Sequence, residues 1–119
     1  MREIKFRGKH LDKWLYGSLH MNESGQPAIA TPSAFHFRCV DPDTVGQYTG
    51  LKDSAGKEIY EGDIISIQGA FGATATIVKW LEGMWCVRKD LPLNYVTGIA
   101  TVVGNVHDNP SLLESKHDQ

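Results

Sequence analysis

Val45-Gly46-Gln47-Tyr48-Thr49-Gly50-Leu51-Lys52-Asp53-Ser54-Ala55-Gly56-Lys57-Glu58-Ile59-Tyr60-Glu61-Gly62-Asp63-Ile64-Ile65 packs four glycines and two tyrosines among alternating charged and apolar residues. Val45 to Gly50 reads as a short strand. Lys52 to Lys57 reads as a hairpin-type loop in which Gly56 can take a positive φ and close the bend. Glu58 to Gly62 reads as a second corner, after which Ile64, Ile65 and Ile67 enter a strand that ends near Gly69 and Gly72. The stretch prescribes a backbone path and holds no reaction centre.

Strand signals continue on both sides. Towards the amino terminus, Glu3 to Gly8 alternates strictly, with Ile4 and Phe6 on one face and Lys5 and Arg7 on the other; Lys9 extends the charged face. Beyond a polar turn at His10 to Lys13, Trp14 to Met21 supplies a hairpin partner, interrupted by Gly17 where a bulge or a close backbone approach fits. Asn22 to Pro27 concentrates turn formers and Pro32 follows soon after, so a strand between Ala28 and Thr31 is expected to be short or at an edge. Phe35 and Phe37 alternate with His36 and Arg38 in a further strand reaching Val40, and Asp41-Pro42-Asp43-Thr44 turns the chain. Towards the carboxy terminus, Ala73 to Trp80 and Trp85 to Arg88 form a hairpin around Leu81-Glu82-Gly83-Met84, with Thr76, Val78 and Trp80 expected on one face. Asp90 to Asn94 is a loop around Pro92, Tyr95 to Val106 is again strand-like, and Pro110 to Glu114 suits one helical turn capped by Asn109.

No window carries a helical period over ten or more residues, whereas strand candidates recur about every 8–12 residues. The expected fold is therefore all-β: a single-domain pseudo-barrel or sandwich of short antiparallel strands over residues 1–114, with a frayed tail at 115–119. Glu61 to Ile65 followed by Thr76 to Trp80 adds a pattern reminiscent of SH3-like elements, which says nothing of function.

Length and composition agree with one core: 119 residues, 41% hydrophobic and 22% charged. A formal charge of −2 gives no global field towards nucleic acid or anionic lipid. The charged amino terminus is unlike a secretory leader, and no apolar run reaches a membrane-spanning length. The expectation is a cytoplasmic protein with reduced thiols, because Cys39 and Cys86 lie far apart and form no Cys-x-x-Cys pair.

The candidate chemistry is sparse. Asp53, Glu58, Glu61 and Asp63 form the tightest acidic group, usable for a hard cation or acid-base work if one carboxylate is desolvated. The plainer reading gives Asp63 a turn role, its carboxylate accepting backbone amides beside Gly62. His36 and Cys39 have a spacing a metal site can use, but in a strand they point to opposite faces and lack a second ligand pair. The glycines match no phosphate loop. Lys5, Arg7 and Lys9 form a basic ridge that would contact phosphates, with Trp14 or Tyr16 stacking on bases; the plainer reading is a solvated strand face guarding a sheet edge. Tyr48 and Tyr60 flank the central loop and, sharing a face, would anchor a protein partner; otherwise they are half-buried core residues.

Met1 to Arg7, Trp14-Leu15-Tyr16-Gly17, Val45 to Asp53 with Gly56 to Ile64, and Gly104-Asn105-Val106-His107-Asp108-Asn109-Pro110 together resemble the YopX family of phage and prophage genomes. The match runs in order over almost the whole chain. The resemblance implies a compact, mostly β body and no catalytic residue, cofactor or ligand to carry over. Family members often follow the opening arginine with a Trp-Asp-containing segment, whereas Gly8-Lys9-His10 stands here, so the first hairpin is expected to differ locally. The resulting expectation is a non-enzymatic phage-type accessory protein without cofactor or metal. It would bind a protein or itself through Tyr48, Tyr60, Lys5, Arg7, Lys9 and Trp14. A nucleic-acid binder using the basic ridge, and an enzyme or cation binder using the carboxylates, are the alternatives.

Overall fold

The computed structural model describes residues 3–32, 37–70, 72–88 and 91–114. The chain is all-β, with antiparallel strands in three open-ended sheets and one short helix among the described residues. Its contacts divide it into two compact units, Met1–Gly50 and Leu51–Gln119.

In the first unit, β1 (Phe6–His10) and β2 (Lys13–Met21) form the expected hairpin around a two-residue turn, Leu11-Asp12, with Leu11 held at φ 57°. Asn22 organises the next turn: its side-chain oxygen accepts the amides of Ser24 and Gln26 at 3.0 and 2.8 Å. β3 (Pro27–Ala30) is short, as expected, but it lies between β2 and β4 (Phe37–Cys39) and not at the edge. Pro27 is tolerated there because it is the first residue of the strand. The expected strand start at Phe35 and His36 lies outside the described residues. A 3-10 turn at Pro42–Thr44 follows, capped by the Asp41 carboxylate on the Asp43 amide (3.0 Å). Thr44 then anchors the turn to β1: its hydroxyl donates to the Asp41 carbonyl and accepts the Lys9 amide at 2.8 Å. β5 (Gly46–Lys52) pairs with β1, giving the order β4-β3-β2-β1-β5.

Gly17 is required by packing. A Cβ built there would overlap the carbonyl oxygen of Ala30, because the chain leaving β3 folds across β2 at this point. The close approach expected from sequence is what the backbone shows, with no bulge in the β1–β2 register.

The second unit begins within β5, whose end leads through the Asp53–Lys57 loop to β6 (Glu58–Tyr60). Gly62, at φ 89°, turns the chain into β7 (Asp63–Gly69), which pairs with β8 (Gly72–Ile77) and with β12 (Ala100–Asn105). A second sheet has the order β11-β10-β9, from β9 (Lys79–Leu81), β10 (Met84–Val87) and β11 (Leu91–Pro92). Ile59, Ile65, Val78, Val87 and Leu93 bury their side chains in one cluster with Ala100.

Two expectations are corrected. The run from Ala73 to Trp80 is not one strand: the Val78 amide donates to the Asp63 carbonyl and the Val78 carbonyl accepts the Gly62 amide, both at 2.9 Å. Those bonds take Val78 out of the ladder and into the core, while Trp80 stays 52% exposed, so the two do not share an environment. Tyr95–Ile99 is not strand but two 3-10 turns, Leu93–Tyr95 and Thr97–Ile99. Leu93 and Val96, three apart, fall on one side of such a turn and both reach the core, leaving Tyr95 72% exposed. The carboxy-terminal turn exists as α1 (Ser111–Glu114), with the Asn109 carbonyl accepting the Leu112 amide at 3.1 Å and the Asn109 side chain accepting the Asn105 amide at 3.2 Å.

Gly17→Ala is expected to lower stability by about 2–3 kcal/mol, since a backbone carbonyl cannot move aside without shifting β3. Urea unfolding at neutral pH checks this, and an unchanged midpoint would contradict the packing described.

Candidate functional site

The antiparallel registers fix which side chains of the first unit share a face, because directly opposed residues point to the same side of a sheet. Arg7 opposes Tyr16 on one side and Gly46 on the other, and Lys9 opposes Trp14. The Tyr48 amide donates to the Lys5 carbonyl at 2.9 Å, which continues the β1–β5 ladder by one residue. Ser18 and His20 oppose Ala30 and Ala28, and these alanines oppose Phe37 and Cys39. One face therefore carries Lys5, Arg7 and Lys9 beside Trp14, Tyr16 and Tyr48, with His20 and Phe37 further across. Glu3, two residues before Lys5, pairs with it at 3.4 Å.

Ring contacts bear out the placement. The Arg7 guanidinium lies 4.7 Å and the Lys9 ammonium 5.6 Å from the centre of the Trp14 ring, and the Lys5 ammonium lies 5.2 Å from that of Tyr48. Cations over ring faces are attracted by the ring quadrupole, most strongly by tryptophan. The His20 and Phe37 rings are 4.3 Å apart across β3. That contact is open to them because Ala28 and Ala30, the residues between, are too small to stand in the way.

The ridge of the sequence reading is thus not a row of three solvated charges. Arg7 is only 5% exposed, and Lys5 pairs with Glu3 at 3.4 Å. Tyr48 is buried beside it, whereas Tyr16 is 43% and Phe37 55% exposed. Tyr60 belongs to the second unit, where it is buried and its hydroxyl donates to Glu58 Oε1 at 3.2 Å. Sequence reasoning passed over Phe37 and His20 as members of this face. The alternation of Tyr16, Ser18 and His20 was readable, but the cross-strand register that brings Phe37 to them was not.

The carboxylates of the central stretch serve the backbone. Asp53 Oδ1 accepts the amides of Ala55 and Lys57, both at 2.9 Å, and Oδ2 accepts that of Val102 at 2.8 Å. Burial alone would raise the Asp53 pKa; the amides of Val102, Lys57 and Ala55, with the Lys57 charge, outweigh it and hold the carboxyl below its ordinary value. Asp63 Oδ2 accepts the Tyr60 amide at 2.7 Å, the turn role read from sequence. Glu58 and Glu61 are half-buried. Among the described residues no group of three or more His, Cys, Asp or Glu side chains is placed to hold a metal ion; His36 lies outside them. Both cysteines are free thiols, Cys39 exposed and Cys86 buried. No helix among the described residues is long and apolar enough to cross a membrane. A further exposed aromatic, Trp80, opposes Trp85 across the β9–β10 hairpin in an edge-on contact at 4.8 Å.

Compared with known families, residues 5–114 match the family described as YopX protein. The chain belongs to the YopX family. Its fold is similar to that in the crystal structure of protein EF1440 from Enterococcus faecalis, with a TM-score of 0.64 at 23% identity, covering 95% of this chain and 99% of that one. At that identity the likeness concerns the fold alone. No curated protein matches the chain.

Several of the segments that carried the YopX resemblance build turns in this YopX chain. Besides Asp53 and Asp63, the run Gly104 to Pro110 folds on its own side chains: Asn105 Oδ1 accepts the amides of His107 and Asp108 at 3.0 and 2.9 Å. Gly104 admits the Asn109 side chain, which a Cβ there would meet at 2.5 Å.

Asp53→Asn is expected to cost about 2–3 kcal/mol at neutral pH, because an amide group cannot accept at both oxygens' positions and one donor is left facing another. The wild-type carboxyl has a folded pKa below its unfolded one, so its stabilisation is complete above the unfolded value and is lost as pH falls through the folded value. Thermal melts across acid pH should therefore show the gap between wild type and variant closing below about pH 4. A gap independent of pH would refute the assignment.

Proposed function

We propose that this YopX chain is a non-enzymatic, phage- or prophage-type accessory protein that works by binding a macromolecule through the basic and aromatic face of its first unit. The observation that carries the reading is the joint placement of exposed Tyr16 and Phe37 with Lys5, Arg7 and Lys9 on one side of a sheet whose other side holds Ile29 and packs Val40 onto Gly8. Large exposed aromatics beside cations are costly to leave in water and are typical of contact surfaces. The use of Asp53 and Asp63 as backbone acceptors supports the non-enzymatic part, since a carboxylate bonded to two or three amides is a poor base. Phage or prophage origin is supported by family membership.

Tagged wild-type protein and a Tyr16→Ala/Phe37→Ala variant, both checked for native circular dichroism, would be used to capture macromolecules from a bacterial lysate. The wild type should retain a protein or nucleic acid that the variant loses at least tenfold, roughly the loss of one good aromatic contact. Equal capture by both, or capture by neither, would overturn the reading.

A further inference from the structure

We infer that the β9 edge of the second unit is a self-association site, at which two copies of this chain pair β9 with β9, antiparallel, about a twofold axis at Trp80. The inference concerns the second unit alone and does not rest on the binding face of the first.

The edge is open because of where its hydrogen-bonding groups point. Glu82-Gly83 is a two-residue turn, so Leu81 and Met84 close the hairpin by bonding to each other, and Trp80 opposes Trp85 as the non-bonded pair of the ladder. Trp80 therefore directs its amide and carbonyl away from β10, to the side on which Val78 meets Gly62 and Asp63. That ladder stops at Val78, because Gly62, at φ 89°, turns the chain away. Among the described residues nothing bonds the Trp80 amide or carbonyl. Such an edge is a template for another strand.

The charges on either side of Trp80 select a second copy as that strand. Lys79 precedes it and Glu82 follows two residues on; both are exposed, and neither is ion-paired with a described residue of its own chain. When the two Trp80 residues face each other in the antiparallel sense, they exchange both backbone bonds, and Lys79 of each copy falls opposite Leu81 of the other, beside its Glu82. The lysine stem then covers Leu81, which is 37% exposed in the single chain, and its ammonium meets the glutamate. The twofold axis makes this contact twice. On the opposite side of the strand the Trp80 rings, 52% exposed in the single chain, meet and extend the Trp80–Trp85 contact across the joint. A three-residue edge buries less than the roughly 1,200 Å² of a standard stable interface, so the dimer is a weak one that forms at high concentration.

Sedimentation velocity of the full chain between about 10 μM and 1 mM, the range in which a weak dimer populates, tests the inference. The mean mass should rise from one chain towards two and no further, since a twofold pairing uses up the edge. Lys79→Glu and Glu82→Lys each set like charges across the axis and should weaken association at least about fivefold, whereas the double variant should restore it to within about twofold. Trp80→Ala should weaken it roughly tenfold. All three side chains are exposed, and circular dichroism checks that each variant is folded. A chain that stays monomeric at 1 mM, association that grows past the dimer, or a dimer indifferent to the single charge variants would overturn the inference. Failure of the double variant to restore association would do so too.

Discussion

A single buried carboxylate organises the second unit. Asp53 closes its own loop by accepting the amides two and four residues on, and with its other oxygen it takes the amide of Val102, 49 residues later. Local and long-range order are thereby fixed by one group, and the cost of removing it from water is offset by donors that would otherwise be unsatisfied. Asp63 repeats the device on a smaller scale at the next corner, where Gly62 supplies the positive φ and Val78 closes the bonds around it. Two aspartates at the centre of the chain thus hold a turn-rich body together where a helix would have used its own ladder.

The first unit obeys a different constraint, strand alternation across an unbroken register. Because opposed residues share a side, three cations on one strand become neighbours of three aromatics on the strands beside it, and two alanines let a histidine and a phenylalanine meet across a third. The other side is shaped by the bare backbone of Gly8, against Val40, and Gly17, against Ala30. One side is thus closed by glycines that admit neighbours, and the other is left with rings at its surface.

The all-β class, the first hairpin, the central loop and corner and the β9–β10 hairpin were legible because each rests on local rules: period two, glycine at positive φ, turn residues between apolar runs. Glu82-Gly83, both at positive φ, makes the β9–β10 turn for that reason. What failed to show in sequence had non-local causes. Val78 left its strand because Gly62 and Asp63 offered it hydrogen bonds, and residues 93–99 coiled because Leu93 and Val96 both had to reach one core.

The family resemblance was likewise visible in the chain alone, since it lies in the order of short blocks, several of which build turns. By itself the sequence determined that the backbone would be short strands joined at glycine- and aspartate-marked corners, because those preferences act over a few residues. Only the tertiary structure decided that Arg7 would be buried against Trp14, that Asp53 would reach Val102, and that Phe37 would join the basic face. Such outcomes depend on which strands pair and in what register, a choice made by the sum of many weak contacts distant in sequence.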